Sequence, residues 1–265
     1  MKVVILCGGE GTRLKEHTES IPKPLVEIGG KPILWHIMKI FSFYGIRDFI
    51  LCLGYKGYKI KEFFVDYEAW KYHDFKLMNG KVSENKHNYD DIKDWNIIFA
   101  DTGLDTNTGG RIKRIEKYIK KDDIFLCTYG DGLSEIDLNK LIEFHKTKKK
   151  IATVTCVKPM SQFGIVSLDE KGDILEFQEK PIISNWINGG FFVFNREVFK
   201  YIEENDVLET QSLVRLVRNN QIAGYKYEGF WACMDTYKDT IKLNEIWKSG
   251  KSPWHKWSDN EYLER

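Results

Sequence analysis

The first stretch with side chains suited to phosphate chemistry follows an apolar run over residues 3–7. Three glycines and an arginine come next, at Gly8, Gly9, Gly11 and Arg13. Glycines after a buried strand let backbone N–H groups approach phosphate oxygens without interference from a Cβ atom, and a guanidinium binds such oxygens in bidentate fashion. The stretch therefore indicates a loop for an anion with several phosphates. A tight surface turn with a solvated arginine is the alternative.

A second candidate is the lysine at position 23, which stands between two prolines, Pro22 and Pro24. Proline restricts its own backbone and that of the residue before it. A solvated lysine has no need of such stiffness, whereas a lysine that meets a phosphate at a set distance does. We therefore interpret Lys23 as a phosphate-binding cation. A proline-rich turn with an incidental lysine is the alternative.

The glycine pattern differs from two other phosphate-binding loops. A dinucleotide-binding GxGxxG loop would need glycine at the position of Arg13, which argues against a nicotinamide dehydrogenase. No Gly-Lys-Ser/Thr sequence follows, so the pattern is not a Walker loop either. Cys7 is interpreted as a small apolar residue of the loop and not as a nucleophile, because no base is visible beside it.

The elements that must position these residues alternate between strand and helix through residue 150. Strands are predicted over residues 3–7, 48–53, 95–100 and 124–127, and helices over residues 32–44, 58–67, 111–119 and 137–148. This alternation is typical of a doubly wound α/β sheet with right-handed crossovers. The polar stretch over residues 79–94 is predicted to be a mobile loop or an insertion.

Strands follow one another more closely after residue 150. They are predicted over residues 151–157, 164–168, 174–178 and 190–194 and near 225–227, with helices around 212–217 and over 237–247. The sequence therefore predicts an α/β fold whose doubly wound sheet is mixed and mainly parallel, with a smaller β-rich extension on the substrate side. No linker separates the two parts, so a single domain over residues 1–265 is expected.

Composition excludes several classes of partner. A formal net charge of +1 and a pI of about 7.6 argue against binding to nucleic acid. No apolar stretch is long enough to span a bilayer, and the apolar start is too short for a signal peptide. The five cysteines lie singly in apolar surroundings, which predicts reduced thiols in a cytoplasmic protein: Cys7, Cys52, Cys127, Cys156 and Cys233.

Nine motifs carry a resemblance to a known family. The sequence reads "GGEGTRL", "PKP", "EIGGKPILWHIM", "GYKGYKIKEFF", "DTGLDTNTGGRIKR", "TYGDG", "FQEKP", "INGGFFVFN" and "GFWACMDT". The first two resemble the signature of the sugar-phosphate nucleotidylyltransferases. The later ones are similar to the cytidylyltransferase branch of that family, and the similarity runs nearly from end to end.

The resemblance implies a reaction and an organisation. Members of that branch join CTP and glucose 1-phosphate to give CDP-glucose and pyrophosphate, on a Rossmann-like nucleotidyltransferase fold. Residues 1–150 would mainly bind nucleotide, and residues 151–265, with a C-terminal helix, the sugar. Relatives form homo-oligomers, commonly hexamers. The tryptophan-rich "EIWKSGKSPWHKW" could serve such an interface or fold back on its own chain.

The resemblance also implies a nucleotide site. It places the nucleotide on Leu6, Cys7, Gly8, Gly9, Glu10, Gly11, Thr12 and Arg13. Arg13 would contact the triphosphate tail and Lys23 the α-phosphate region. Thr106 and Arg111 would lie near the nucleotide, with Arg111 at the start of a helix, where anions are favoured. A surface arginine in a first helical turn is the alternative for Arg111.

Two aspartates are expected to hold Mg²⁺. Asp131 lies between glycines at the exit of a strand, and Asp235 lies in "FWACMDT". Magnesium usually takes one or two carboxylates and completes its octahedron with phosphate oxygens and water. With Lys23 and Arg13, these two aspartates are the predicted catalytic residues.

A sugar-phosphate site follows from the same resemblance. Its expected residues are Tyr129, Glu179, Lys180, Asn188 and Gly189. Glu179 would bind a sugar hydroxyl and Lys180 the sugar phosphate. The "INGG" segment could instead be a plain bulge in a strand.

The sequence departs from the family on this sugar side. Gln162 stands where many members have arginine, and residues 208–213 read LETQSL where members typically read Trp-Glu-x-Glu-Pro-Leu. Another sugar 1-phosphate or phosphate acceptor, or UTP, dTTP or GTP, therefore remains an alternative within the same chemistry. A regulatory module that binds nucleotide without turnover is a remoter one.

Overall fold

A mixed, mainly parallel sheet of eight strands forms the centre of the described chain. The computed structural model describes residues 1–14, 18–65, 77–78, 81–82, 92–161 and 163–258. The strands are β1 (Lys2–Cys7), β2 (Glu27–Ile28), β3 (Lys31–Pro32), β4 (Asp48–Leu53), β5 (Leu77–Met78), β6 (Lys81–Val82), β7 (Asn96–Asp101), β8 (Ile124–Tyr129), β9 (Gly132–Ser134), β10 (Ala152–Val157), β11 (Ile165–Leu168), β12 (Ile174–Gln178), β13 (Ile187–Asn188), β14 (Phe192–Asn195), β15 (Ile222–Tyr227) and β16 (Trp231–Cys233).

Helices cover both faces of this sheet. The α-helices are α1 (Ile33–Phe43), α2 (Gly57–Val65), α3 (Thr108–Arg114), α4 (Leu138–Lys148), α5 (Leu213–Arg218) and α6 (Tyr237–Lys248). Single turns of 3₁₀-helix lie at Thr12–Leu14, Lys23–Leu25 and Glu116–Tyr118, a longer one at Arg196–Tyr201, and a π-helix at Leu208–Ser212.

The strand order confirms the predicted fold class. The sheet runs β7–β4–β1–β8–β14–β10–β15. Strands β13 and β14 both pair with β10, at different residues of that strand. Strand β1 is parallel to both β4 and β8, whereas β14 is antiparallel to its two neighbours. The winding reverses between β4 and β8, and ligands of such sheets bind beyond the carboxyl ends of the strands at this reversal.

Alternate residues of β1 pack into two separate hydrophobic cores. Val3 and Ile5 join the core that contains α1, and Val4 and Leu6 join the core that contains the apolar side of α3. All four side chains are buried. A parallel strand covered on both faces must be apolar at every position, and this is why the run was recognisable in the sequence.

The third helix differs from its prediction. It begins three residues before Arg111 and is followed by a separate 3₁₀ turn. Gly109 and Gly110 hid this start, since glycine disfavours helices. Their missing Cβ atoms allow close packing: a Cβ on Gly110 would lie 2.1 Å from the carbonyl oxygen of Glu204, and one on Gly109 would lie 2.7 Å from Asp206 Cβ.

The tryptophan-rich C-terminal segment folds back on its own chain. Trp254 is fully buried, stacks with Trp247 and donates its indole N–H to Nδ1 of His36 at 3.4 Å. His36 Nε2 therefore carries the proton and donates to the carbonyl of Ile28 at 2.8 Å. Burial lowers the pKa of His36 from 6.5 to about 4.

Stability is expected to depend on pH through His36. The unfolded chain binds a proton below pH 6.5, and the folded chain binds it only near pH 4, so the free energy of unfolding falls as pH drops through this window. At pH 5 the loss attributable to His36 is about 2 kcal/mol. The free energy of unfolding can be measured with urea at pH 7.5 and at pH 5. Its decrease between the two pH values should be smaller for His36→Gln than for the wild type, by about 2 kcal/mol. Equal losses in the two proteins would contradict the assignment.

Two predictions fall partly or wholly outside the described residues. Most of the loop expected over residues 79–94 lies there, and so does Gln162. The helices of the described chain include none long and apolar enough to cross a membrane.

Candidate active site

The structure gives a different reason for glycine at each of the three positions after β1. Gly11 has φ +64°, a conformation that side chains with a Cβ rarely adopt. A Cβ on Gly8 would lie 2.1 Å from Nη1 of Arg111, so Gly8 is required by packing against that guanidinium. A Cβ on Gly9 would meet nothing within 4 Å. Gly9 therefore leaves its backbone open for close approach by a ligand.

Cys7, at the end of β1, is a buried thiol. Burial raises its pKa well above the ordinary value, with a smaller contribution from the charge of Asp131. The thiol therefore stays protonated near neutral pH, which agrees with its interpretation as an apolar residue and not a nucleophile.

Lys23 points at both predicted metal-binding aspartates. It begins a 3₁₀ turn after the extended backbone of Pro22, and its Nζ donates to Asp131 Oδ2 at 2.7 Å and to Asp235 Oδ1 at 3.0 Å. Burial by itself would lower the pKa of Lys23. The charge and hydrogen bond of Asp131, and then that of Asp235, raise it above the ordinary value. The ammonium is therefore charged throughout the neutral range.

A short antiparallel ladder brings the two aspartates together. Strands β9 and β16 pair with Gly132 opposite Cys233, and the N–H of Met234 donates to the carbonyl of Asp131 at 2.9 Å. Neither strand was predicted, because three residues are too few to show a period. Asp131 thus lies beside the residue that precedes Asp235.

The first turn of α6 fixes the backbone of Asp235. Thr236 caps this helix, and Asp239 completes a capping box with it. The Oδ2 atom of Asp239 also accepts the N–H of Asp235 at 3.1 Å. Arg13 forms an ion pair with the carboxylate of Asp235 and is 76% exposed, so its guanidinium can reach a ligand in the cleft.

The donor set fits a divalent cation. The Asp131 and Asp235 carboxylates both lie within 3.0 Å of one nitrogen, Lys23 Nζ, and are about a quarter exposed. Both carboxylates therefore face one point, which the Lys23 ammonium occupies in this structure. Among the described residues no group of three or more His, Cys, Asp or Glu side chains could hold a metal. Two carboxylates with room for phosphate oxygens match the preference of Mg²⁺.

Arg111 is buried in the middle of α3. Its Nη1 donates to the carbonyls of Leu53 and Gly103 at 3.0 and 2.7 Å and to Thr102 Oγ1 at 2.8 Å. Its Nη2 donates to the carbonyls of Gly8 and Leu104, each at 3.0 Å. The alternative of a first-turn surface arginine is therefore wrong. The guanidinium binds three loops of the cleft to one another, and its contact with nucleotide stays a prediction.

A second network lies around Tyr129 and Asn188, two of the residues expected to bind the sugar phosphate. Tyr129 donates its hydroxyl to Glu209 Oε1, and Asn188 Nδ2 donates to the Tyr129 hydroxyl at 2.9 Å. Thr108 Oγ1 donates to Glu209 Oε2 at 2.8 Å. Glu209 was not among the predicted site residues. The signal was present, since Glu209 matches a glutamate of the family pattern within the altered segment 208–213.

The remaining predicted sugar residues lie elsewhere. Glu179 and Lys180 form an ion pair with each other at 2.8 Å, on an exposed segment just after β12. Gly189 lies beside Trp231, whose indole N–H donates to the Gly189 carbonyl at 2.7 Å. The structure thus brings Tyr129 and Asn188 together, and contact of the Glu179–Lys180 pair with a sugar phosphate stays a prediction.

One cavity of about 450 Å³ joins the nucleotide-side and metal-side residues. Its lining is Leu6, Cys7, Gly8, Gly9, Gly11, Thr12, Arg13, Lys23, Pro24, Thr106, Asn107, Thr108, Arg111, Tyr129, Gly130, Asp131, Val207 and Asp235. Of the predicted nucleotide residues, Glu10 is exposed and does not line it. The cavity lies beyond the carboxyl ends of β1 and β8, where the winding of the sheet reverses.

Comparisons with known proteins agree with this geometry. The profile of the family described as nucleotidyl transferase matches residues 2–249. A probable glucose-1-phosphate cytidylyltransferase of Bacillus subtilis (strain 168) is 47% identical, over 97% of this chain and 100% of its own length. The glucose-1-phosphate cytidylyltransferase of Salmonella typhi is 44% identical over the same shares.

Solved structures share the fold at lower identity. An apo UDP-glucose pyrophosphorylase superposes with a TM-score of 0.68 at 16% identity, covering 94% of this chain and 98% of its own. HddC from Yersinia pseudotuberculosis, complexed with GMP-PN, superposes with a TM-score of 0.64 at 24% identity, covering 93% of this chain and 99% of its own. With the family profile and the full-length relatives, these similarities show that the chain belongs to the nucleotidyl transferase family and is a nucleotidyltransferase.

Proposed function

We propose that this chain transfers CMP from CTP to glucose 1-phosphate, giving CDP-glucose and pyrophosphate. The names of its full-length relatives suggest this pair of substrates. The observation that carries the proposal is the meeting of Lys23 with Asp131 and Asp235 at one end of the cavity. A cation, two carboxylates and an open glycine loop are the groups that nucleotidyl transfer requires.

Each group has a role in this reaction. An oxygen of the sugar phosphate attacks the α-phosphorus of CTP in line with the departing pyrophosphate, so one P–O bond forms as another breaks. The open backbone at Gly9 and the guanidinium of Arg13 bind the triphosphate tail. Lys23 neutralises charge that builds on the α-phosphoryl oxygens.

Asp131 and Asp235 would hold a divalent cation, for which we propose Mg²⁺. When bound, such an ion neutralises phosphate charge and fixes the geometry of the phosphates. The two carboxylates suit this role because the β9–β16 ladder and the cap of α6 fix their backbones.

A turnover assay tests the proposal. The protein is incubated with CTP, glucose 1-phosphate and Mg²⁺, and pyrophosphate release is followed beside a known cytidylyltransferase. We expect release that depends on all three components. No release under conditions in which the known enzyme works would contradict the proposal, and tight CTP binding without turnover would instead favour a regulatory module.

A second candidate keeps the chemistry and changes a substrate. It is favoured by the altered segment 208–213, which lies against Tyr129 through Glu209. CTP, UTP, dTTP and GTP should therefore each be paired with several sugar 1-phosphates and other phosphate acceptors. Activity with CTP and glucose 1-phosphate alone would exclude this candidate.

We also propose a homo-oligomer, a hexamer by resemblance, and the hairpin of β11 and β12 supports it. Every residue of the two strands is exposed, with Phe177 at 63% and Leu175 at 69%. Val166 pairs with Phe177, so these three apolar side chains share one face of the hairpin. An isolated two-stranded hairpin is marginal in water, so we expect a second copy of the chain to cover this face.

Phe177→Asp is therefore expected to lower the oligomer mass measured by light scattering, because it places a charge on the covered face. Glu176→Gln, on the opposite face of the same strand, is the matched control and should leave the mass unchanged. A wild-type monomer, or an unchanged mass for Phe177→Asp, would count against this surface.

A further inference from the structure

We propose that Glu209 is a positioning residue for the acceptor sugar phosphate, acting through the hydroxyl of Tyr129. The inference rests on the proposed function, since it assigns the Tyr129 side of the cavity to the acceptor. Glu209 is half-buried on the π-helix at residues 208–212. This wide turn is rare and occurs often at functional sites.

Backbone groups at both ends of the network decide where its protons lie. The N–H of Gly190 donates to Asn188 Oδ1 at 2.9 Å, so the amide of Asn188 presents its N–H to Tyr129. The Tyr129 hydroxyl accepts there, and its own proton points to Glu209 Oε1. Tyr129 is therefore a donor to Glu209 and is not free to rotate.

The other carboxylate oxygen is fixed in the same way. The N–H of Leu208 donates to Thr108 Oγ1 at 2.9 Å, so the proton of Thr108 points to Glu209 Oε2 at 2.8 Å. Glu209 thus accepts one hydroxyl proton on each oxygen. A glutamine amide of the same size cannot do both, because it has a single acceptor oxygen and a donating NH₂ group.

These contacts join two residues of the cavity wall, Tyr129 and Thr108, to a residue of a neighbouring strand, Asn188. Tyr129 ends β8 two residues before Asp131, Thr108 begins α3, and Asn188 ends β13. The orientation of the phenol against the cavity therefore depends on Glu209.

Loss of the Glu209 carboxylate should affect binding of the acceptor more than binding of the nucleotide. Helix α3 is also anchored by the five hydrogen bonds that Arg111 donates, so it does not depend on Thr108 alone. The hydroxyl of Tyr129 makes its described hydrogen bonds with Glu209 and Asn188. Loss of the carboxylate should disturb Tyr129 before it disturbs the nucleotide loop.

The test compares Glu209→Gln with Glu203→Gln. The control glutamate is 77% exposed and contacts Arg215 at 3.7 Å. For Glu209→Gln we expect the KM for glucose 1-phosphate to rise about tenfold, with the KM for CTP changed less than about twofold. The melting temperature and both KM values of the control should stay near those of the wild type. Equal rises in the two KM values of Glu209→Gln would indicate a structural role and overturn the proposal.

A double variant provides a second readout. Tyr129→Phe removes the hydroxyl through which Glu209 is proposed to act. The KM for glucose 1-phosphate of Tyr129→Phe/Glu209→Gln should therefore match that of the worse single variant. Independent, multiplying effects of the two substitutions would contradict the proposal.

Binding measurements separate this inference from the proposed function. Titration calorimetry with each sugar 1-phosphate of the panel needs no turnover. Weaker binding of a sugar phosphate by Glu209→Gln, with unchanged CTP binding, would support the inference even if CTP and glucose 1-phosphate do not react. Unchanged binding would overturn it even if the wild type is active, and a wild type that binds no sugar 1-phosphate would overturn both.

Discussion

Asp131→Asn and Asp235→Asn are each expected to lower turnover by about a thousandfold or more, because each removes a carboxylate that would hold the divalent cation and orient the phosphates. The loss should appear in kcat at saturating Mg²⁺. Pyrophosphate formation under single-turnover conditions measures this loss directly, because release of the products does not limit that experiment.

Both variants should remain folded. The two carboxylates are about a quarter exposed, and Lys23 keeps one of its two partners in either variant. Asp123→Asn is the control, because the Asp123 side chain is 95% exposed and forms a surface ion pair with Arg196. Far-ultraviolet circular dichroism should be the same for all of these proteins. A folded Asp235→Asn variant with full activity would remove that residue from the metal site.

Arg111→Met is expected to lower the free energy of unfolding by roughly 3–5 kcal/mol, because a buried guanidinium with five hydrogen bonds is lost. Burial lowers the pKa of this arginine, so its charge is already costly, and the bonds offset that cost. The carbonyls of Gly8 and Leu53 keep backbone donors from Tyr55 and Thr102. The larger part of the loss should therefore come from the loop at residues 103 and 104.

Arg114→Met is the matched control on the same helix. Arg114 is exposed and donates to the Thr102 carbonyl and to Thr106 Oγ1. Its replacement should lower the free energy of unfolding by about 1 kcal/mol or less. Urea unfolding at neutral pH measures both. Arg111→Lys should not restore the wild-type value, since an ammonium cannot reproduce the planar fork. Equal losses for Arg111→Met and Arg114→Met would contradict the structural role given to Arg111.

Local sequence patterns were sufficient for most of the fold. The run of β1 can be recognised because burial on both faces makes every position apolar, and α4 can be recognised because burial of one helix face imposes a period of 3.6. Glycine also signalled the cleft, although the packing reason for Gly8 is its close contact with Arg111. The prolines around Lys23 indicated a lysine held in a set position, and its contact with phosphate stays a prediction.

Charged side chains were harder to place, because their partners come from distant parts of the chain. Arg111 was expected near the nucleotide, with a surface position in a first helical turn as the alternative, and the structure shows it enclosed by three loops. Glu179 and Lys180 contact each other on an exposed segment, and their expected contact with the sugar phosphate stays a prediction. No local pattern distinguishes these outcomes, since the same residue types occur in each.

The sequence by itself determined the alternation of strands and helices, the open loop after β1 and the rigid presentation of Lys23. Each depends on residues adjacent in the chain, through side-chain period and restricted backbone angles. Only the tertiary structure decided that Asp131 and Asp235 face one ammonium group and that Glu209 bonds Tyr129 to Thr108. Those contacts form because the sheet order and the short β9–β16 ladder bring distant segments together, and interactions between distant segments leave no period in the sequence.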